Sequence, residues 1–135
     1  MTLNLYQKIL DELFTLAQDV EPIKTSRLAA CIVHKRSIIS YGFNQLKTHP
    51  FQAQYTRHEN AIYLHAETDA IKNALKRIPS AELSKTMLFV VRAKLEKGKW
   101  VYGLSKPCEG CMKAVATFDI KDVVYTTDEG DYKYM

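Results

Sequence analysis

A chain of 135 residues, 47% apolar and 25% charged, has the size and balance of one soluble globular domain over residues 1–135 and not of a fibrous, low-complexity or disordered chain. Its net charge of +4 is modest and unevenly placed: residues 1–22 hold Lys8 against Asp11, Glu12, Asp19 and Glu21, so the positive excess falls on the remainder, which suits an anionic ligand and a solvated mixed-charge surface equally. No run approaches the roughly 18 consecutive apolar residues of a membrane span, and the first fourteen residues interleave acids with apolar positions, so the reading is a cytoplasmic protein without an export signal.

From the amino terminus, Tyr6, Ile9, Leu10, Leu13, Phe14, Ala17 and Val20 recur at three- and four-residue intervals, which predicts a helix over residues 3–20 that Pro22 ends. Leu28 to Val33 and Ser37 to Phe43 are short apolar runs on either side of His34-Lys35-Arg36 and predict a β-hairpin. Residues 45–63 are polar and aromatic without a period, and a connection of that length inside a compact domain carries function or mobility. His65 to Ile78 predicts a second helix, with Ala66, Ala70 and Ala74 beside Ile71, Leu75 and Ile78, and with Pro79 as its stop. The small alanines permit close packing on a sheet.

Thr86 to Val91 is a run of the kind found in strands buried on both faces. Arg92 to Lys106 can extend that strand, turn at Lys97-Gly98 and return. Pro107 to Phe118 reads as a turn into a helix, and Asp122 to Thr127 as another strand. The order helix, two strands, helix, strand, helix, strand predicts an α/β three-layer sandwich with helices on both sheet faces.

The chemistry rests on a few residues. Cys108 and Cys111 form a C-x-x-C pair after Pro107 at a predicted helix start, where the positive end of the helix favours thiolate over thiol. Alone, that spacing also fits a redox pair or half of a structural zinc site. The third cysteine, Cys31, lies in an apolar strand and reads as core. His65 and Glu67 stand at the start of the preceding helix. No pair among His34, His49, His58 and Glu59 has a ligand spacing that would suggest a second metal site.

Together, His65-x-Glu67 and Pro107-Cys108-x-x-Cys111 resemble the H-x-E…P-C-x-x-C signature of the cytidine and deoxycytidylate deaminase superfamily. The resemblance runs from the hairpin near Arg27 to the strand near Tyr125, and Gly42-Phe43-Asn44 is similar to the family's G-x-N segment. It implies the cytidine deaminase type of α/β/α sandwich, with a mixed central sheet. It also implies one catalytic Zn2+ per chain on His65, Cys108 and Cys111, a fourth position left for water, and Glu67 as proton carrier. Asn44 is then expected at the substrate sugar or base, with Ala66, Ser105 and Pro107 as further substrate-binding positions. Arg27, Lys47, Arg57 and Lys106 are the candidate phosphate partners.

The function so implied is hydrolytic deamination of a free cytosine nucleotide, dCMP to dUMP with release of ammonia, by a homo-oligomer. Two alternatives compete with it. One is a deaminase of polynucleotide bases, similar to the tRNA adenosine deaminases, with Phe51, Tyr55 and Tyr63 as stacking aromatics. The other is a zinc module without activity. The chain departs from the deoxycytidylate branch at Thr68-Asp69, where an Asn often follows two residues after the glutamate, at Gln45 in place of a glycine, and in the longer segment Arg92 to Lys106.

Overall fold

The structure is a computed structural model that describes residues 3–22, 26–55 and 63–135, the side chains of residues 46–48 and 63 excepted. Helix α1 (Leu3–Gln18) leads into strands β1 (Arg27–His34), β2 (Ser37–Phe43) and β3 (Gln45–Thr48), a short helix α2 (Pro50–Ala53) and strand β4 (Tyr63–Leu64). Helix α3 (Ala66–Ala74), a 3-10 turn (Ser80–Lys85), β5 (Thr86–Glu96), β6 (Lys99–Gly103), α4 (Glu109–Thr117), β7 (Asp122–Thr126) and β8 (Tyr132–Tyr134) complete it.

Five strands lie in the order β2-β1-β5-β7-β8, with β6 joined to β5. Strand β1 is antiparallel to β2 and β5, while β5 and β7 run parallel, so the sheet is mixed as expected. The long β5 serves three neighbours: β1 takes one edge from Thr86 to Ala93, β7 takes the other from Met87 to Val90, and β6 continues on that second edge from Arg92. Arg92 to Lys106 does extend the strand, turn and return.

Both two-residue hairpin turns put their central residues at positive φ, the geometry whose twist matches the flanking strands. Lys35 (φ 52°) and Arg36 (φ 67°) do so between β1 and β2, and Lys97 (φ 52°) with Gly98 (φ 79°) between β5 and β6. The first turn carries neither Gly nor Asn, so its position follows from the apolar runs on either side.

Side chains alternate across the strands and divide the core in two. Ala29, Cys31, Val33, Phe89, Val91, Ala93 and Val124 meet α1, which buries Ile9, Leu10, Leu13 and Ala17. Ala30, Ile32, Leu88, Val90 and Val123 meet α3 and α4, through Ala66, Ala70, Ile71, Ala74, Ala114 and Val115. Each fully buried leucine on these faces contributes about 1.5–3 kcal/mol of transfer free energy. The predicted helix 65–78 ends its regular part at Ala74, and Leu75 to Ile78 continue as turns before Pro79.

Gly42 sets how close α3 lies to the sheet. A Cβ there would stand 2.2 Å from both Ala66 O and Ala70 N, so the helix backbone rests directly on β2. The alanine stripe and this glycine thus act together, and they fix the height at which the helix start stands over the strand ends. The two-stranded β3–β4 ladder, α2, the 3-10 turn and β8 were not foreseen. Among the described residues, no helix is long and apolar enough to cross a membrane.

Candidate active site

Two helices begin at one place. His65 is the N-cap of α3 and Cys108 the N-cap of α4, both with extended backbone, and Cys111 lies in the first turn of α4. The imidazole Nδ1 of His65 is 3.2 Å from Cys111 Sγ and 3.5 Å from Cys108 Sγ. All three donor atoms lie within 4.8 Å of one another, and among the described residues no other group of three His, Cys, Asp or Glu side chains converges in this way.

This donor set fits zinc. Zn–S bonds of about 2.3 Å and Zn–N bonds of about 2.0 Å in a tetrahedron separate the donors by roughly 3.5–3.8 Å, close to the distances seen. Two thiolates and one imidazole suit a soft divalent ion, and three protein donors leave one position of the tetrahedron for solvent. The N-terminus of α4 directs its positive end at Cys108, whose Sγ accepts from Cys111 N–H at 3.5 Å.

The electrostatics follow from burial and from the Cys108–Cys111 contact. The Cys108 thiol is pushed down to about 4, first by its hydrogen bond with Cys111 and then by His65 and the Cys111 backbone N–H at 3.5 Å. Cys111 is pushed up, by the same pairing and by burial, so the two share the cost of holding a proton. Glu67, in the first turn of α3 and 4% exposed, is coupled to Cys111, and burial raises its carboxyl above the ordinary range. A raised carboxyl is a better proton acceptor at neutral pH.

The run into Cys108 is tied to the sheet. Ser105 is 2% exposed; its hydroxyl donates to Val90 O at 2.8 Å and accepts from Thr126 N–H at 2.7 Å. Those bonds occupy the group expected at the substrate and give it a structural task, anchoring the turn before the cysteines. Pro107 and Ala66 are buried beside the metal ligands, while Lys106 is exposed.

The remaining candidates lie elsewhere. Asn44 is 6% exposed and spends its amide on the start of β1, Oδ1 accepting from Leu28 N–H at 2.7 Å and Nδ2 donating to Ser26 O at 2.9 Å. It also lines a cavity of about 580 Å³ with Phe43, Gln45, Leu16, Asp19, Val20 and Glu21. Arg27 points to the α1 face, its guanidinium 5.1 Å from the Trp100 ring centre, away from α3 and α4. The Lys47 side chain and all of Arg57, His58 and Glu59 are outside the described residues.

Two further residues support the site: Asp69, noted in the sequence only as a departure from the deoxycytidylate branch, and Gln52, which sequence reasoning did not single out. Asp69 accepts from Phe43 N–H and pairs with Lys72, and Gln52 bonds the start of α3. The aromatics read as stacking candidates are engaged in packing: Phe51 lies 5.5 Å from Tyr55 and stacks on Phe118 at 6.0 Å, while the Tyr63 side chain is outside the described residues. His34 pairs with Glu82, and His49 accepts from Phe51 N–H, so neither meets a metal cluster.

Among solved structures, a dCMP deaminase from the cyanophage S-TIM5 in apo form superposes with a TM-score of 0.65 at 20% identity, over 94% of this chain and 86% of that one. A cytidine deaminase from Burkholderia pseudomallei gives 0.67 at 16% identity, over 100% and 92%. Guanine deaminase from Bacillus subtilis gives 0.60 at 21% identity, over 94% and 65%. At such identities the likeness establishes the fold and leaves the base open. No curated protein matches the chain significantly by sequence. The family model described as the cytidine and deoxycytidylate deaminase zinc-binding region matches residues 3–127, so the chain belongs to that family of hydrolytic deaminases acting on carbon–nitrogen bonds other than peptide bonds.

Proposed function

We propose that the protein deaminates a free cytosine nucleotide, dCMP before others, to the uracil nucleotide and ammonia. The observation that carries the reaction class is the meeting of His65, Cys108 and Cys111 within 4.8 Å, beside the buried carboxyl of Glu67. Zinc on those three donors would supply a Lewis acid that brings water toward ionisation at neutral pH.

The chain's own groups do the rest. Glu67 takes a proton from the attacking water and hands it to N3 of the cytosine ring as the C4–O bond forms; it then carries the remaining proton of the C4 hydroxyl to the amino group, so that the C4–N bond breaks, ammonia leaves and C4 keeps a carbonyl. Water and amine are consumed and released one for one, so no further reactant is needed. Burial of Glu67 keeps bulk water away from the carboxyl during these transfers.

The nucleotide rather than the nucleoside is favoured by Lys106, exposed immediately before Pro107 and Cys108, as a partner for the phosphate. The test compares ammonia release from dCMP, deoxycytidine and cytidine at one concentration. A higher kcat/KM for dCMP supports the reading, and an equal or lower one removes the phosphate from it.

A further inference from the structure

We propose that Gln52 is a positioning residue of the metal site, holding the first turn of α3 from outside the helix by accepting the N-cap N–H of His65 and the Thr68 hydroxyl. A helix start leaves four N–H groups without partners along the helix, and an N-cap side chain usually accepts one of them. In a capping box, a Glu or Gln three residues on also reaches back to accept the N-cap's own N–H. Helix α3 has neither device. The His65 ring makes no capping bond and turns instead to the two sulfurs, and the third residue on is Thr68, whose hydroxyl lies against Gln52 Oε1 and His65 O.

Gln52 supplies the missing acceptor from outside the helix. It is fully buried, and its Oε1 accepts from the His65 N–H at 3.1 Å and from the Thr68 hydroxyl. The same hydroxyl lies 3.1 Å from His65 O. One oxygen therefore fixes the backbone of a metal ligand and the residue that follows Glu67. A small rotation of this turn would move the imidazole and the carboxyl together.

Gln52 is itself held in place. Its short helix is capped by His49, whose Nδ1 accepts the Phe51 N–H at 3.0 Å, and the Phe51 ring stacks on Phe118 at the end of α4. The turn around residues 49–55 thus touches both helices that carry metal ligands, one through Gln52 and the other through Phe51.

The inference rests on the deaminase reading, and its test separates the two. Gln52→Met removes the acceptor at similar length, Thr68→Val removes the partner hydroxyl, and Thr68→Ser keeps it. Zinc affinity is measured by chelator competition, the cobalt-substituted absorption spectrum reports ligand geometry, and kcat and KM are taken on zinc-saturated protein. Loss of a group that orients a metal ligand typically weakens metal binding or activity about 10–100-fold. That loss is expected for Gln52→Met and Thr68→Val, with an altered cobalt spectrum, a lower kcat and little change in KM, and Thr68→Ser should recover most of it. A folded Gln52→Met protein with unchanged zinc affinity, spectrum and kcat overturns the inference, even if it melts earlier. Should that variant not fold, Thr68→Val decides by the same readouts. Wild-type protein inactive on every free nucleotide would remove the proposed substrate, while the zinc affinities would still judge Gln52.

Discussion

Asp69 fastens Phe43: its Oδ2 accepts the Phe43 backbone N–H at 3.0 Å, while Oδ1 pairs with Lys72 Nζ at 3.1 Å. The bond joins the end of β2, next to Asn44, to the turn of α3 that bears Glu67. Asp69 is 3% exposed, and Gln45 Nε2 also donates to it at 3.2 Å. Asp69→Ala leaves a backbone donor with no acceptor, which costs about 1–3 kcal/mol of stability. Urea unfolding should show that loss, and Asp69→Asn, which can still accept from Phe43, should show less of it.

Glu67→Gln keeps the shape of the side chain and removes its basicity. General acid–base catalysis of this kind is worth roughly 10²–10⁴-fold. The expected outcome is a fall in kcat of that order with wild-type zinc content, read from ammonia release and metal analysis on one preparation. A variant with near-normal turnover would take the proton-carrying role away from Glu67.

Gly42→Ala should be among the most damaging single-methyl additions in the chain. The added carbon meets backbone atoms, Ala66 O and Ala70 N, which cannot step aside as a flexible side-chain end can. Overpacking typically costs about 1–3 kcal/mol, and here it falls on the helix that positions His65 and Glu67. Thermal unfolding should show a drop of at least that size, with activity lost alongside. Gly130→Ala, where the chain has φ +85° but open space around it, should cost less.

Alkaline stability should depend on Tyr41. Its hydroxyl donates to Glu12 Oε1 at 2.6 Å, and burial, then that bond, push the phenol up to about 12. An unfolded tyrosine ionises near pH 10, so above that pH the unfolded chain gives up a proton that the folded one keeps. The contribution is fully present below about pH 10 and is lost as pH rises toward 12. Tyr41→Phe should flatten that limb of the stability–pH curve, measured by denaturant midpoints from pH 8 upward.

The residues that mark the site were legible because each stands in a short, local pattern. Cys108 and Cys111, three residues apart at a helix start, can reach one ion by spacing alone, while His65 and Glu67 were legible through the resemblance of the whole set to the H-x-E…P-C-x-x-C signature. The stripes of α1 and α3 and the runs of β1, β2 and β5 were legible for the same reason, as periodicity over neighbouring residues. Gln52 was not, because its importance lies in a bond to residue 65 across a stretch without pattern. Tyr132–Tyr134 is three residues long and lacks an apolar face, so nothing local distinguishes it from a tail; its place comes from pairing with β7. Ser105 and Arg27 show the opposite case. Both were named as substrate positions through the resemblance, and the fold adds contacts that no local pattern shows, Thr126 for the Ser105 hydroxyl and the Trp100 ring for Arg27.

The central claim is an ion on three protein donors with one coordination position open beside Glu67. X-ray absorption at the zinc edge of the loaded protein tests it most directly. Two sulfur scatterers at about 2.3 Å and two nitrogen or oxygen scatterers at about 2.0 Å are expected, one of the lighter pair exchanging with added solvent-side ligands such as cyanide. A shell of four sulfurs, or one in which no ligand exchanges, would contradict it.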